Sequence, residues 1–115
     1  MRKGETAFRT DQVDPFLKTL ENCVDESIQQ TSIRGTFDKI LCIQGWYIGA
    51  EIKDEDGKLD PLQKYKASLI RTKGKGIALC WRPQNHELVK HFLSQLNAGI
   101  FDKALLRKIN QEEEA

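Results

Sequence analysis

No stretch of this sequence approaches the roughly 18 consecutive apolar residues of a membrane-spanning helix. The N-terminal run MRKGETAFRTDQ lacks the apolar centre of a secretory signal, so an intracellular protein is expected. Cysteine is scarce. Cys23, Cys42 and Cys80 make an odd number with no C-x-x-C pair, which argues against a disulfide framework or a zinc ribbon. Cys42 and Cys80 lie in apolar runs and are expected to be reduced core residues. His86 and His91 have no cysteine nearby at metal-ligand spacing. Asp54-x-Asp56-Gly57 departs from a calcium loop, because its glycine comes too early. There is no repeat and no Pro/Gly-rich linker. A length of 115 residues then fits one domain, residues 1–110, with a short acidic tail at 111–115. An excess of one charge sign is also missing. The net charge of +1 does not announce nucleic-acid binding.

What is present reads as alternating helix and strand. Residues 1–10 suit a short helix or an arm. Asp14-Pro15 has the form of an N-cap and first helical position. Phe16, Leu17, Leu20, Val24 and Ile28 recur at helical spacing and predict a helix over about 15–30. Residues 32–36 read as a loop. Lys39 to Ile43 and Trp46 to Lys53, separated by Gln44-Gly45, predict a β-hairpin. Asp60-Pro61 opens a helix with Leu62, Tyr65, Leu69 and Ile70 expected on its inner face. Ile77 to Trp81 is a continuously apolar run, as expected of a strand buried on both faces. Helices at about 86–97 and 100–110 follow. The crossover through 61–73 places strand 77–81 parallel to 46–53. The expected fold class is α/β, a small mixed sheet flanked by helices.

The hairpin sets up a chemical question. With a two-residue turn at Gln44-Gly45, paired residue numbers sum to 89, so Asp38 faces Glu51. Two directly opposed carboxylates repel across a sheet. Lys53, two residues on, projects from the same face. A hard divalent cation gives such a pair a purpose. Asp38, Glu51 and the backbone carbonyl of Ile52 supply oxygen ligands, and Lys53 is placed to orient an attacking water. The alternative is a solvated strand face with no ligand.

Asp38 followed by Glu51-Ile52-Lys53 resembles the PD-(D/E)XK nuclease signature. More narrowly, Arg34-Gly35-Thr36-Phe37-Asp38, Glu51-Ile52-Lys53, Gly57-Lys58-Leu59, Leu62-Gln63 and Gly76-Ile77-Ala78 resemble the VRR-NUC domain family, in its stand-alone, phage-type form. The resemblance covers roughly residues 2–97. It implies a restriction-endonuclease-like core and a Mg²⁺- or Mn²⁺-dependent DNA endonuclease in a bacterial cytoplasm. Its expected substrate is branched DNA such as four-way junctions. It also implies that Asp38 and Glu51 hold the metal, that Lys53 is the catalytic lysine, that Gln63 stands near the site, and that Glu5 reaches toward the metal. Phe37 departs from the family's proline, which puts the exact placement of Asp38 in doubt. Gln63 is equally well read as the partner of an Asp60 capping box, and Glu5 as a solvated helix residue. Arg34, Lys39 and Lys64 are the cations expected to meet phosphate. Two symmetric cuts in a junction call for a homodimer, with Trp46 or the C-terminal helices as candidate surfaces. A monomeric flap or nick nuclease and a catalytically silent DNA-binding module are the competing readings.

Overall fold

A computed structural model describes residues 3–28 and 37–114. Arg34 and the loop expected at 32–36 lie outside them. The elements run α1 (Lys3–Phe8), a π-helical turn (Arg9–Val13), α2 (Asp14–Leu17), β1 (Cys23–Ser27), β2 (Lys39–Ile43), β3 (Trp46–Ile52), α3 (Pro61–Thr72), β4 (Ile77–Trp81), a 3-10 turn (Pro83–Asn85), α4 (His86–Asn97) and α5 (Lys103–Glu114). The four strands form one mixed sheet in the order β1-β2-β3-β4. The first three are antiparallel, and β4 pairs parallel with β3 through the α3 crossover. The α/β class and the parallel pair expected from the sequence are both present.

The hairpin turn is tight. Gln44 and Gly45 both have positive φ, 52° and 84°, the pairing that primed two-residue turns require. Ile43 consequently pairs with Trp46 and Lys39 with Ala50, the register that sums to 89. Every side chain's face follows from that register. Leu41, Ile43, Ile48, Ala50 and Ile52 turn to one side. There they bury against Phe8, Val13 and Leu17 and against Val89, Phe92, Leu93 and Leu96 of α4. The other side carries a smaller cluster of Phe37, Ala67, Ile70 and Ala78 beneath α3. Gly49 makes that close approach possible: a Cβ there would stand 3.1 Å from both Ile70 Cδ1 and Phe37 Cδ2.

Several expectations are corrected. The helix over 15–30 ends at Leu17, and residues 23–27 form edge strand β1 instead. Val24 consequently lies open to solvent at 61% exposure. On α3 the inner residues are Gln63, Ala67 and Ile70, while Leu62 and Tyr65 are exposed. Small Ala67 and Ala78 let the helix settle closely on the sheet. Cys80 is buried, but Cys42 is exposed, and none of the three is in a disulfide among the described residues. Trp46 packs on Phe101 at 4.6 Å between ring centroids, and Ile109 is buried, so these two candidate dimer contacts serve the fold itself. Helix α5 runs on to Glu114, which makes most of the acidic tail helical.

Lys39 is the largest correction. The sequence places it among the cations that meet phosphate, yet it is only 2% exposed. Its Nζ donates to Asp25 Oδ1 and Oδ2 at 2.9 and 3.1 Å and to Ser27 Oγ at 3.0 Å. Asp14 Oδ1 stands 3.0 Å away. A lysine buried on the core face of the sheet is tolerable only with such compensation.

Candidate active site

The site forms where β2 and β3 leave the ladder. One residue beyond the last pair, Asp38 N–H donates to Glu51 Oε1 at 3.0 Å. Ile52 N–H donates to Asp38 Oδ2, also at 3.0 Å. The expected opposition of the two carboxylates is therefore present, and each grips the backbone of the other strand. Lys53 Nζ lies 3.5 Å from Glu51 Oε2, so Lys53 does share their face.

Gln63 combines both of its possible roles. Asp60 Oδ1 accepts from Gln63 N–H at 2.8 Å, and Gln63 Oε1 accepts from Asp60 N–H at 3.0 Å. This closes a capping box at the start of α3. The remaining amide group, Gln63 Nε2, donates to Glu51 Oε2 at 2.8 Å. The cap thus fixes the orientation of the amide, and the amide fixes Glu51. Asp60→Ala is expected to cost about 1 kcal/mol of stability as the cap is lost. It should also release Gln63 and lower activity more than the stability loss explains. Urea melts read beside turnover, with Gln63→Leu for comparison, check this. Equal activity in all three proteins would count against Gln63 as a positioning residue.

Glu51 is buried, and its carboxyl is pushed up to about 7. Burial is the main cause, and the Asp38 charge adds to it. The Lys53 ammonium and the Asp38 backbone N–H pull the other way without winning. In the absence of a cation the site therefore retains a proton near neutrality.

Arg9 is a member of the site that sequence reading did not pick out. Its Nη2 stands 3.3 Å from Asp38 Oδ2. The approach is off the hydrogen-bonding direction, and buried Nε and Nη2 of Arg9 have no hydrogen-bond acceptor among the described residues. The residue opens the π-helical turn, a distortion that often marks functional positions. An arginine amid polar helix residues gives no spacing signal of its own. Its proximity to Asp38 arises only once α1 and the π turn have packed on the sheet.

Glu5 is half-buried, one helical turn before Arg9. A Cβ at neighbouring Gly4 would stand 3.3 Å from Asp54 Cβ, so α1 passes over the segment just after Lys53. Glu5 does not complete a ligand cluster. No group of three or more His, Cys, Asp or Glu side chains is arranged to hold a metal among the described residues. Lys64 is exposed on α3 beside Gln63. His86 is occupied elsewhere, its Nδ1 accepting from Trp81 Nε1 at 3.0 Å. Burial and the nearby Lys90 charge lower its pKa.

Fold and site together define a small mixed α/β domain with a closely opposed carboxylate pair, buried Glu51 and half-buried Asp38, flanked by lysine and arginine. Comparison with protein-family models, with curated proteins and with solved structures finds no match to this chain. Among the described residues no helix is long and apolar enough to cross a membrane.

Proposed function

We propose that this protein is a metal-dependent DNA endonuclease, acting on branched DNA such as four-way junctions as a homodimer. The observation that carries the reading is the Glu51 carboxyl, raised to about 7 opposite Asp38 and 3.5 Å from Lys53. Two carboxylates held so close invite a divalent cation, and oxygen-only donors suit Mg²⁺ or Mn²⁺. Asp38, Glu51 and the Ile52 carbonyl are the groups that would hold it. Glu5 would have to move to join them. A bound cation supplies charge neutralisation and Lewis acidity at a phosphodiester.

The chain's own groups supply the rest. Arg9, 3.3 Å from Asp38, adds positive charge beside the carboxylate pair, where it would favour an approaching phosphate. Lys53 Nζ, beside Glu51, orients the attacking water. Gln63 holds Glu51 in one rotamer. In hydrolysis the water oxygen bonds to phosphorus, one P–O ester bond breaks, and the departing oxygen takes up a proton. The resemblance to VRR-NUC domains supports DNA as the substrate. One chain carries one carboxylate pair, and two symmetric cuts in a junction then call for two chains.

The test is incubation with labelled four-way, flap and linear DNA, with and without Mg²⁺ or Mn²⁺, beside solution mass by light scattering. Metal-dependent junction cutting by a dimer is expected. Junction cutting by a monomer would replace the homodimer with a monomeric nuclease. Equal cutting of linear DNA would remove the branch preference. No cleavage of any DNA would leave a silent binding module.

A further inference from the structure

Helix α3 leads away from the carboxylate pair along the same face of the sheet. Its first turn places Gln63 on Glu51, and its far end brings Ile70 and Gly74 toward Tyr47. Tyr47 lies four residues before Glu51 on β3, so both side chains leave the same face, about 13 Å apart along the strand. Between Tyr47 and the helix runs a groove of about 440 Å³, lined by Tyr47, Lys66, Leu69, Ile70, Gly74 and Gly76. Its lining is chiefly apolar, yet Tyr47 is 45% exposed.

The charged residue in the groove lining is Lys66, and Lys75 stands beside Tyr47. From Pro61 to Lys75 the sequence carries five cations, Lys64, Lys66, Arg71, Lys73 and Lys75, and no carboxylate. The four lysines are exposed. The small net charge of +1 therefore conceals a basic helix beside the site. A polyanion fits that helix, and an exposed aromatic ring at the groove's end selects among polyanions. Every nucleobase offers a flat face on which such a ring stacks. A paired duplex hides those faces, so Tyr47 can reach a base only where a strand is unpaired.

We propose that the groove is the path of an unpaired DNA strand running from the scissile phosphate, with Tyr47 stacking on one base and Lys66 and Lys75 meeting phosphates. The direction of the path rests on the nuclease reading. The binding itself does not. An unpaired arm is what a branched substrate offers and a linear duplex lacks.

The experiment measures anisotropy of a fluorescent oligothymidylate with the full chain in EDTA, where no metal-dependent cut occurs. Wild type is expected to bind, with affinity falling steeply as salt rises. Tyr47→Ala should weaken binding about tenfold, while Tyr47→Phe, which retains the ring, stays near wild type. Lys66→Gln, at an exposed position, should weaken binding several-fold and lower the salt slope by about one. It also keeps the proposal testable if Tyr47→Ala fails to fold. Absence of binding by wild type, unchanged binding in Tyr47→Ala, or equal losses in Tyr47→Ala and Tyr47→Phe would overturn the proposal. So would a duplex of the same sequence binding as tightly as the single strand. Binding with this pattern but without cleavage under Mg²⁺ or Mn²⁺ would sink the nuclease reading and leave the strand path standing. Cleavage with no effect of Tyr47 would do the reverse.

Discussion

Glu51→Gln is expected to abolish cleavage and, at pH 8 without metal, to make the protein more stable. The two effects share one cause. In the unfolded chain a glutamate titrates near 4.5, whereas in the fold Glu51 titrates near 7. Between those values the folded state binds more protons than the unfolded state. Stability therefore falls as pH rises through the interval and levels off above it. A shift of this size corresponds to something on the order of 3 kcal/mol. Glutamine removes the charge permanently but loses one accepted hydrogen bond, because its NH2 cannot accept from Asp38 N–H or Gln63 Nε2. The variant should therefore sit below wild type near pH 4.5 and overtake it as pH approaches 8. Urea melts across that range give the comparison, and parallel profiles would show that Glu51 is not strained. On the proposed metal reading, a divalent cation should reverse the order, because binding would expel the proton and join the carboxylates. Wild type should then show a thermal shift with Mn²⁺ at pH 8 that the variant lacks. Loss of one ligand removes several kcal/mol of charge stabilisation, so cleavage should fall by roughly a thousandfold or more. Unchanged cleavage would dismiss the metal-site reading.

That strain was legible in the sequence because hairpin register is a counting problem. A two-residue turn at Gln44-Gly45 fixes every pair, and the pairing of Ile43 with Trp46 makes Asp38 and Glu51 neighbours. Strand β4 was legible for a similar reason, since five apolar residues in a row suit a strand with both faces covered. Strand β1 was not. Pattern reading assumes that the inward residues are the apolar ones. In Cys23–Ser27 the inward positions include Asp25 and Ser27, because they attend a buried lysine, while apolar Val24 faces out. With the alternation inverted, Phe16, Leu17 and Leu20 carried the helical count through a strand. Arg9 escaped for a different reason: its role depends on α1 docking over the end of β3, and one chain position does not encode a distance between elements. Gln63 was open to two readings because the same side chain uses its oxygen for the cap and its nitrogen for Glu51.

The buried lysine gives the second prediction: Lys39→Ala should cost about 2–4 kcal/mol, from the hole left by its buried stem and from the loss of a partner for two partly exposed carboxylates. A domain of this size has about 5–15 kcal/mol in all, so the variant should be partly unfolded at modest temperature. Removing the ammonium leaves the Asp25 and Asp14 carboxylates facing one another across a hole. Replacing the network with apolar groups is a different experiment, because desolvation of the charges disappears with them. Lys39→Met with Asp25→Leu should recover much of the loss, and a double-mutant cycle in urea measures the coupling. The position also bears on the site. Lys39 follows Asp38 directly and points to the opposite face, so it anchors β2 where the strand presents Asp38 to Glu51. Cleavage by Lys39→Ala should therefore drop even under conditions where the protein is folded. Oligonucleotide binding measured there should change little, since Lys39 is enclosed by carboxylates. A folded Lys39→Ala protein of unchanged stability and weakened DNA binding would reverse this assignment and return Lys39 to the phosphate-binding surface.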